Sequence, residues 1–294
     1  MSVTFFFLLL YRRCFSVTNE IERFETILRD EERSEKTVEK YVRDVRHFLN
    51  FAKGRKICKM LVLEYKSYLV ENYRASSAGS MLSSVNAFLK RLELREFCVK
   101  AIKIQKSVFL SKGSELNIEE YKRLVAVAKD SGKHRLYLIL QTLASTGIRI
   151  SELRFITVES IESEYTRISM KGKLRTVFLP SMLCIALRDY VREKNIKSGP
   201  VFISKNGNPL DRSNICSEMK KLCTDANVPR EKIHPHNLRH LFARTYYSVQ
   251  KDIVRLADIL GHSSVNTTRI YTMESGETHR RQIQELGLLD DALK

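Results

Sequence analysis

The chain has 294 residues, more than one ordinary core accommodates, so two domains are expected. Its 43% apolar content suffices to bury both cores and argues against wholesale disorder. A formal charge of +17 favours a polyanionic partner, DNA or RNA, although a merely soluble basic protein also carries such a charge.

Both halves share that excess. Residues 1–112 hold 22 Lys/Arg against 13 Asp/Glu, and the remainder holds 29 against 21. A basic tail would concentrate the charge, whereas two basic domains closing around a duplex would spread it in this way. The six cysteines (14, 58, 98, 184, 216 and 223) include no C-x-x-C pair. This argues against a disulfide framework or a cysteine zinc site and for a reduced, cytoplasmic setting.

The chain opens with the apolar run Phe5 to Tyr11, followed by Arg12-Arg13. Seven residues fall far short of the roughly 20 that span a bilayer. A signal peptide would place its charge before the run and a cleavage site after it. Residues 1–18 are read as a disordered leader, with a peripheral membrane anchor as the lesser alternative.

From Asn19 to Lys106 the pattern is helical. Ile21, Phe24, Ile27 and Leu28 recur at helical spacing. Ser34 is placed to cap a second helix that Gly54 ends. Further helices are expected near Lys59–Asn72 and Ser76–Leu92, making a compact bundle over 19–106. Periodicity breaks over 103–114, and the linker is placed at 107–114, before a second domain over 115–294. Asn117 with Glu120 has the form of a capping box. A nearly all-apolar helix near Lys133–Ser145 should lie at the centre of the second core.

Ser145-Thr146-Gly147-Ile148-Arg149-Ile150-Ser151-Glu152-Leu153 reads as a turn opening a helix, with Arg149 at its first turn. A guanidinium there can add bidentate donors to an anion site; equally, it can be a surface partner of Glu152. Glu164–Met170 and Leu174–Leu179 read as strands joined by Lys171-Gly172-Lys173, a hairpin with lysine at its tip. That lysine can swing toward a substrate or be merely solvated. Helices are expected at Leu183–Glu193 and Asn214–Ala226. No Gly-rich phosphate cradle occurs, so no nucleotide cofactor is expected.

The last sixty residues carry the densest chemistry: His234-Pro235-His236-Asn237-Leu238-Arg239-His240, then Leu260-Gly261-His262, then Arg269-Ile270-Tyr271. His236 and Arg239 share a helical face. Gly261 ends an apolar-periodic run, which puts His262 on a turn, and Ser264 can cap a short helix leading to Tyr271. These groups suit gripping a phosphate and attacking it with a phenol. His234, His236 and His240 have no acidic or Cys partner spaced for a metal, so none is expected. Tyr246 and Tyr247 are read as core or supporting residues, and His240 as structural, packing behind Arg239.

Arg149, Lys171, His236, Arg239, His262 and Tyr271 stand in one order, with L-G-H nine residues before the tyrosine. In this the chain resembles the tyrosine recombinase (phage integrase) family and its Arg–Lys–His–Arg–His–Tyr site, in a compact, Xer-like two-domain form. The resemblance implies a mainly α fold with a small hairpin in the catalytic domain, preceded by a SAM-like core-binding bundle. It implies that Tyr271 attacks a DNA phosphodiester to give a 3′-phosphotyrosine, so that ligation needs no ATP. Arg149 and Arg239 would hold the non-bridging oxygens, and His262 would donate to the phosphate. His236 would act as general acid/base and Lys171, or alternatively Lys173, would protonate the leaving oxygen. Glu152 is the supporting carboxylate. The implied partner is a double-stranded DNA recombination site, bound by a homotetramer coupled through the amphipathic tail Glu274–Leu289. Three roles follow: recombinase of a mobile element, which is preferred; Xer-like resolvase of chromosome or plasmid dimers; or inactive DNA-binding regulator.

Overall fold

In the computed structural model the described residues are 17–102, 115–170, 172–204, 206–271 and 284–286. The chain divides into two units, Met1–Lys106 and Ser107–Lys294.

The first unit is helical: α1 (Val17–Asp30), α2 (Glu35–Ala52), α3 (Lys59–Asn72) and α4 (Ala75–Arg91), then a 3-10 turn at Arg95–Phe97. Its core gathers the residues at helical spacing, among them Phe24, Val45, Phe48, Tyr65 and Val85. Phe24 and Phe88 meet edge to face at 5.2 Å. Buried Asp44 is satisfied by Lys40 at 2.8 Å and Ser84 at 2.9 Å. Two expectations need correction. Helix α1 already begins at Val17, so the last two residues assigned to the leader are helical; residues 1–16 lie outside the described set. Ser34 occupies the N-cap of α2, but its hydroxyl pairs with that of Thr37 at 2.8 Å instead of a backbone N–H.

The second unit begins with α5 (Ile118–Asp130) and α6 (His134–Thr146). The Asn117–Glu120 capping box is formed, with bonds of 2.8 and 2.9 Å. Leu136, Ile139, Leu140 and Leu143 bury α6, which packs against α5 and the later helices α8 and α10. A 3-10 stretch (Ile150–Phe155), α7 (Val158–Ser163), strands β1 (Tyr165–Met170) and β2 (Lys173–Phe178), and α8 (Ser181–Glu193) follow. Then come α9 (Arg212–Lys220), a 3-10 turn (Arg230–Lys232), α10 (Pro235–Gln250), α11 (Ile253–Leu260), α12 (Val265–Thr268) and a last 3-10 turn (Arg269–Tyr271).

The two strands form an antiparallel hairpin with Tyr165 opposite Phe178 and Met170 opposite Lys173. Lys173 therefore belongs to β2, and the connector is shorter than the three residues expected. Helix α9 is also shorter than Asn214–Ala226: Lys221 onward turns rather than continuing the helix. In β2 the apolar alternation is inverted. Leu174 and Phe178 face solvent at 70% and 76% exposure, while Arg175, Val177 and Leu179 turn inward. Among the described residues no helix is long and apolar enough to cross a membrane.

Candidate active site

Helix α6 stops at Gly147, whose positive φ of 64° sends the chain back under α10. Arg149 then sits at the N-cap of a 3-10 turn rather than on an α-helix. Of the two readings of Arg149, the pairing with Glu152 is observed. Its side chain is 44% exposed and pairs with Glu152 at 3.0 Å, and it lines a groove of about 1240 Å³. The Glu152 carboxylate is buried and also accepts from the Arg149 backbone N–H at 2.7 Å.

Pro235 at the first turn starts α10, which presents His236, Arg239 and His240. Arg239 is 2% exposed. Its Nη1 donates to the carbonyl of Gly147 and its Nη2 to that of Leu260, both at 2.7 Å. It thus ties the end of α6 to the end of α11. Burial, with Arg149 and Arg175 nearby, lowers its pKa to about 10, against the opposing pull of the Tyr271 phenol.

Gly261 ends α11 at φ 65° and turns the chain into His262, which lines the same groove. Ser264 caps α12 through the Asn266 N–H. His262 lies 3.0 Å from Arg239 through Nε2 and 2.8 Å from Thr268 through Nδ1. Burial and the surrounding guanidiniums push its imidazole down to about 4. Tyr271, 4% exposed, is anchored in a small apolar cluster with Ala243, Leu256 and Leu260, against which Tyr246 and Tyr247 pack.

The structure thus brings together Arg149, Glu152, Arg239, His262 and Tyr271. His236 is exposed as a residue at the start of α10, but partial desolvation of its ring against neighbouring groups, with repulsion from His240, His234 and Arg239, lowers it to about 4. The reading of His240 needs correction, because it does more than pack behind Arg239. Its ring lies between those of His236 (4.4 Å) and Tyr271 (4.8 Å), and its Nδ1 donates to Glu115 at 3.0 Å. Glu115 also accepts from Arg244. Lys171 lies outside the described residues, as does nearly all of the tail. Among the described residues no group of three or more His, Cys, Asp or Glu is placed to hold a metal.

Two participants escaped the sequence reading. Arg175 donates to Glu152 at 2.5 Å and to the Ile259 carbonyl, so it joins β2 to α11. The signal was ambiguous, because both faces of β2 carry apolar residues: Arg175 shares its face with Val177, while Leu174 and Phe178 lie on the other. Thr268, buried three residues before the tyrosine, is the other.

Buried guanidiniums beside a phenol, flanked by imidazoles at an open groove, make a site for phosphoryl transfer. Residues 114–277 match the phage integrase family, and residues 21–96 match the phage integrase N-terminal SAM-like domain. The chain belongs to the phage integrase family, the tyrosine recombinases, which are site-specific DNA strand transferases. It is 32% identical over 275 residues to TnP I resolvase of Bacillus thuringiensis, covering 85% of this chain and 94% of that protein. Tyrosine recombinase XerA of Pyrococcus furiosus is 28% identical over 93% of this chain and 96% of its own length. A lambda integrase dimer bound to a COC′ core site shares the fold with a TM-score of 0.70 at 18% identity, covering 86% of this chain and 94% of that one.

Proposed function

We propose that this recombinase cuts and rejoins double-stranded DNA through Tyr271. The phenol attacks the scissile phosphorus, a 3′-phosphotyrosine forms, and the 5′-oxygen leaves with a proton. Arg149 and Arg239 hold the non-bridging oxygens and Glu152 orients Arg149. His262 contacts the phosphate, His236 handles protons, and Lys171, or Lys173 in its place, protonates the leaving oxygen. No cofactor takes part. The observation that supports this reading is that Arg149 and His262 line one groove, while the buried Arg239 bonds His262 at 3.0 Å and the buried Tyr271 ring lies 6.0 Å from it. Nicked suicide duplexes test it: Tyr271→Phe should form no covalent adduct and still bind DNA. An adduct from that variant would overturn the assignment.

In this reading residues 19–106 form the core-binding domain, 107–114 the linker and 115–294 the catalytic domain. Both carry net positive charge for phosphate contacts. The tail couples subunits in a homotetramer on the recombination site. The preferred role is integration and excision of a mobile element. The similarity to TnP I resolvase and XerA over most of the chain favours a second role, dimer resolution. Plasmids carrying the DNA that flanks the gene separate the roles when sites on one circle are compared with sites on two: a dimer resolvase acts only within one circle, whereas an integrase also joins separate circles.

A further inference from the structure

The hydrogen bonds of His262 fix where its proton resides. Its Nε2 faces Arg239 Nη2 at 3.0 Å, and its Nδ1 faces Thr268 Oγ1 at 2.8 Å. A guanidinium carries donors only, so Nε2 must present its lone pair to Arg239. The single proton of the neutral ring is then on Nδ1, and Thr268 accepts it. Turning the ring over would set carbon atoms against both partners. Thr268 is fully buried, at the last position of α12.

The donors of Arg239 complete the argument. Nη2 gives one hydrogen to the Leu260 carbonyl and the other to His262, while Nη1 serves Gly147. The Nε/Nη2 fork that would grip a phosphate is therefore occupied until His262 yields its share. A phosphate oxygen arriving there is an acceptor, and it meets a second acceptor in the Nε2 lone pair. His262 can bond to that oxygen only by gaining a hydrogen on Nε2.

We propose that Thr268 is a positioning residue. By accepting from Nδ1 it acts with Arg239 at Nε2 to keep the proton of His262 away from the groove, so that His262 engages a phosphate by taking up one proton from solvent at Nε2. This rests on the reading that a phosphate binds at Arg239. The exchange is balanced: imidazole becomes imidazolium, and only hydrogen bonds are rearranged. The groups facing His262 are Arg239 and His236 from α10, Arg149 from the turn after α6, and Arg175 from β2. Tyr271 lies parallel to the ring at 6.0 Å, and Glu152 sits between Arg149 and Arg175. These cations oppose protonation in the free chain; a phosphate anion seated between them offsets that field.

The test is nitrogen-15 histidine NMR on the full chain, with His262 assigned through His262→Gln. The free protein at neutral pH should show the Nδ1–H tautomer, and Thr268→Ser should keep it. Thr268→Val, equal in shape, should leave the Nδ1 hydrogen without an acceptor, so that the ring loosens from Arg239 and a share of Nε2–H appears while the other histidines stay undisturbed. Titrating inorganic phosphate should convert His262 to imidazolium at a pH where the free ring is neutral. A free chain with its proton on Nε2 sinks the proposal whatever the variants do. So does a Thr268→Val protein whose ring shows no Nε2–H and keeps its Arg239 contact unchanged, or a ring left neutral by phosphate. None of these readouts involves cleavage, so loss of the Tyr271 adduct would refute the recombination reading separately.

Discussion

The Arg175 guanidinium lies 2.5 Å from the Glu152 carboxylate, opposite the contact that Glu152 makes with Arg149 at 3.0 Å. One buried carboxylate therefore aligns two cations, and only one of them lies in the motif around Glu152. Arg175 is 12% exposed and also holds the carbonyl of Ile259, one turn ahead of His262.

Replacing Arg175 with Met should cost about 3–5 kcal/mol, the usual effect of stripping one partner from a buried ion pair. Arg175→Lys should recover less than half, because an ammonium cannot reach both acceptors with a fork. Urea unfolding measures both. A loss below about 1 kcal/mol would show that Glu152 is satisfied by Arg149 alone.

Acidification should weaken the free protein through His236 and His262. Unfolded imidazoles protonate near the ordinary 6.5, whereas these two are held at about 4. Between those values the unfolded chain binds more protons, so stability is full above 6.5, falls as pH drops toward 4, and levels off below. Denaturation midpoints across that range should show the slope, with the more exposed His236 contributing less. The double variant His236→Gln/His262→Gln should flatten it; an unchanged slope would place the titration elsewhere.

Alongside other carboxyls held low, among them Glu31 and Glu120, Glu115 should contribute to a separate acid limb. Its carboxyl accepts from His240 and from Arg244, and both hold it below its ordinary 4.5. That stabilisation is present above 4.5 and lost as pH falls through the depressed folded value. Glu115→Gln should shrink the limb as followed by circular dichroism, and an unchanged limb would place it on the other carboxyls. The same variant should also slow adduct formation, since His240 packs on Tyr271.

Gly147→Ala should destabilise by roughly 1–3 kcal/mol or more, through a left-handed backbone and overpacking together. A Cβ there would lie 2.3 Å from Phe242 Cδ1 on α10, beside the carbonyl that Arg239 holds. Thermal unfolding gives the cost. A variant as stable as the parent would mean that Phe242 can step aside.

The helices were legible because each needs only local information. Apolar spacing marked α3 and α6, and Gly261 marked the end of α11. The motif residues were legible because the chemistry needs cations, imidazoles and a phenol, and these are uncommon together. Arg175 was hidden by the inverted alternation of β2, where Leu174 and Phe178 face out and a guanidinium points in. The link from Glu115 to His240, and that from Thr268 to His262, exist only once distant turns meet. Ser34 had the identity of a cap but found a nearer partner in Thr37. Patterning reports which residues are available; tertiary geometry decides which of them pair.

The enclosure of Tyr271 has its own consequence. With 4% exposure and imidazole rings at two sides, the phenol of the free chain should be spared by iodination or nitration reagents that modify surface tyrosines. On the proposed assignment of Tyr271 as nucleophile, such a resting state would leave it idle until a strand is seated against it, sparing bystander DNA from stray breaks.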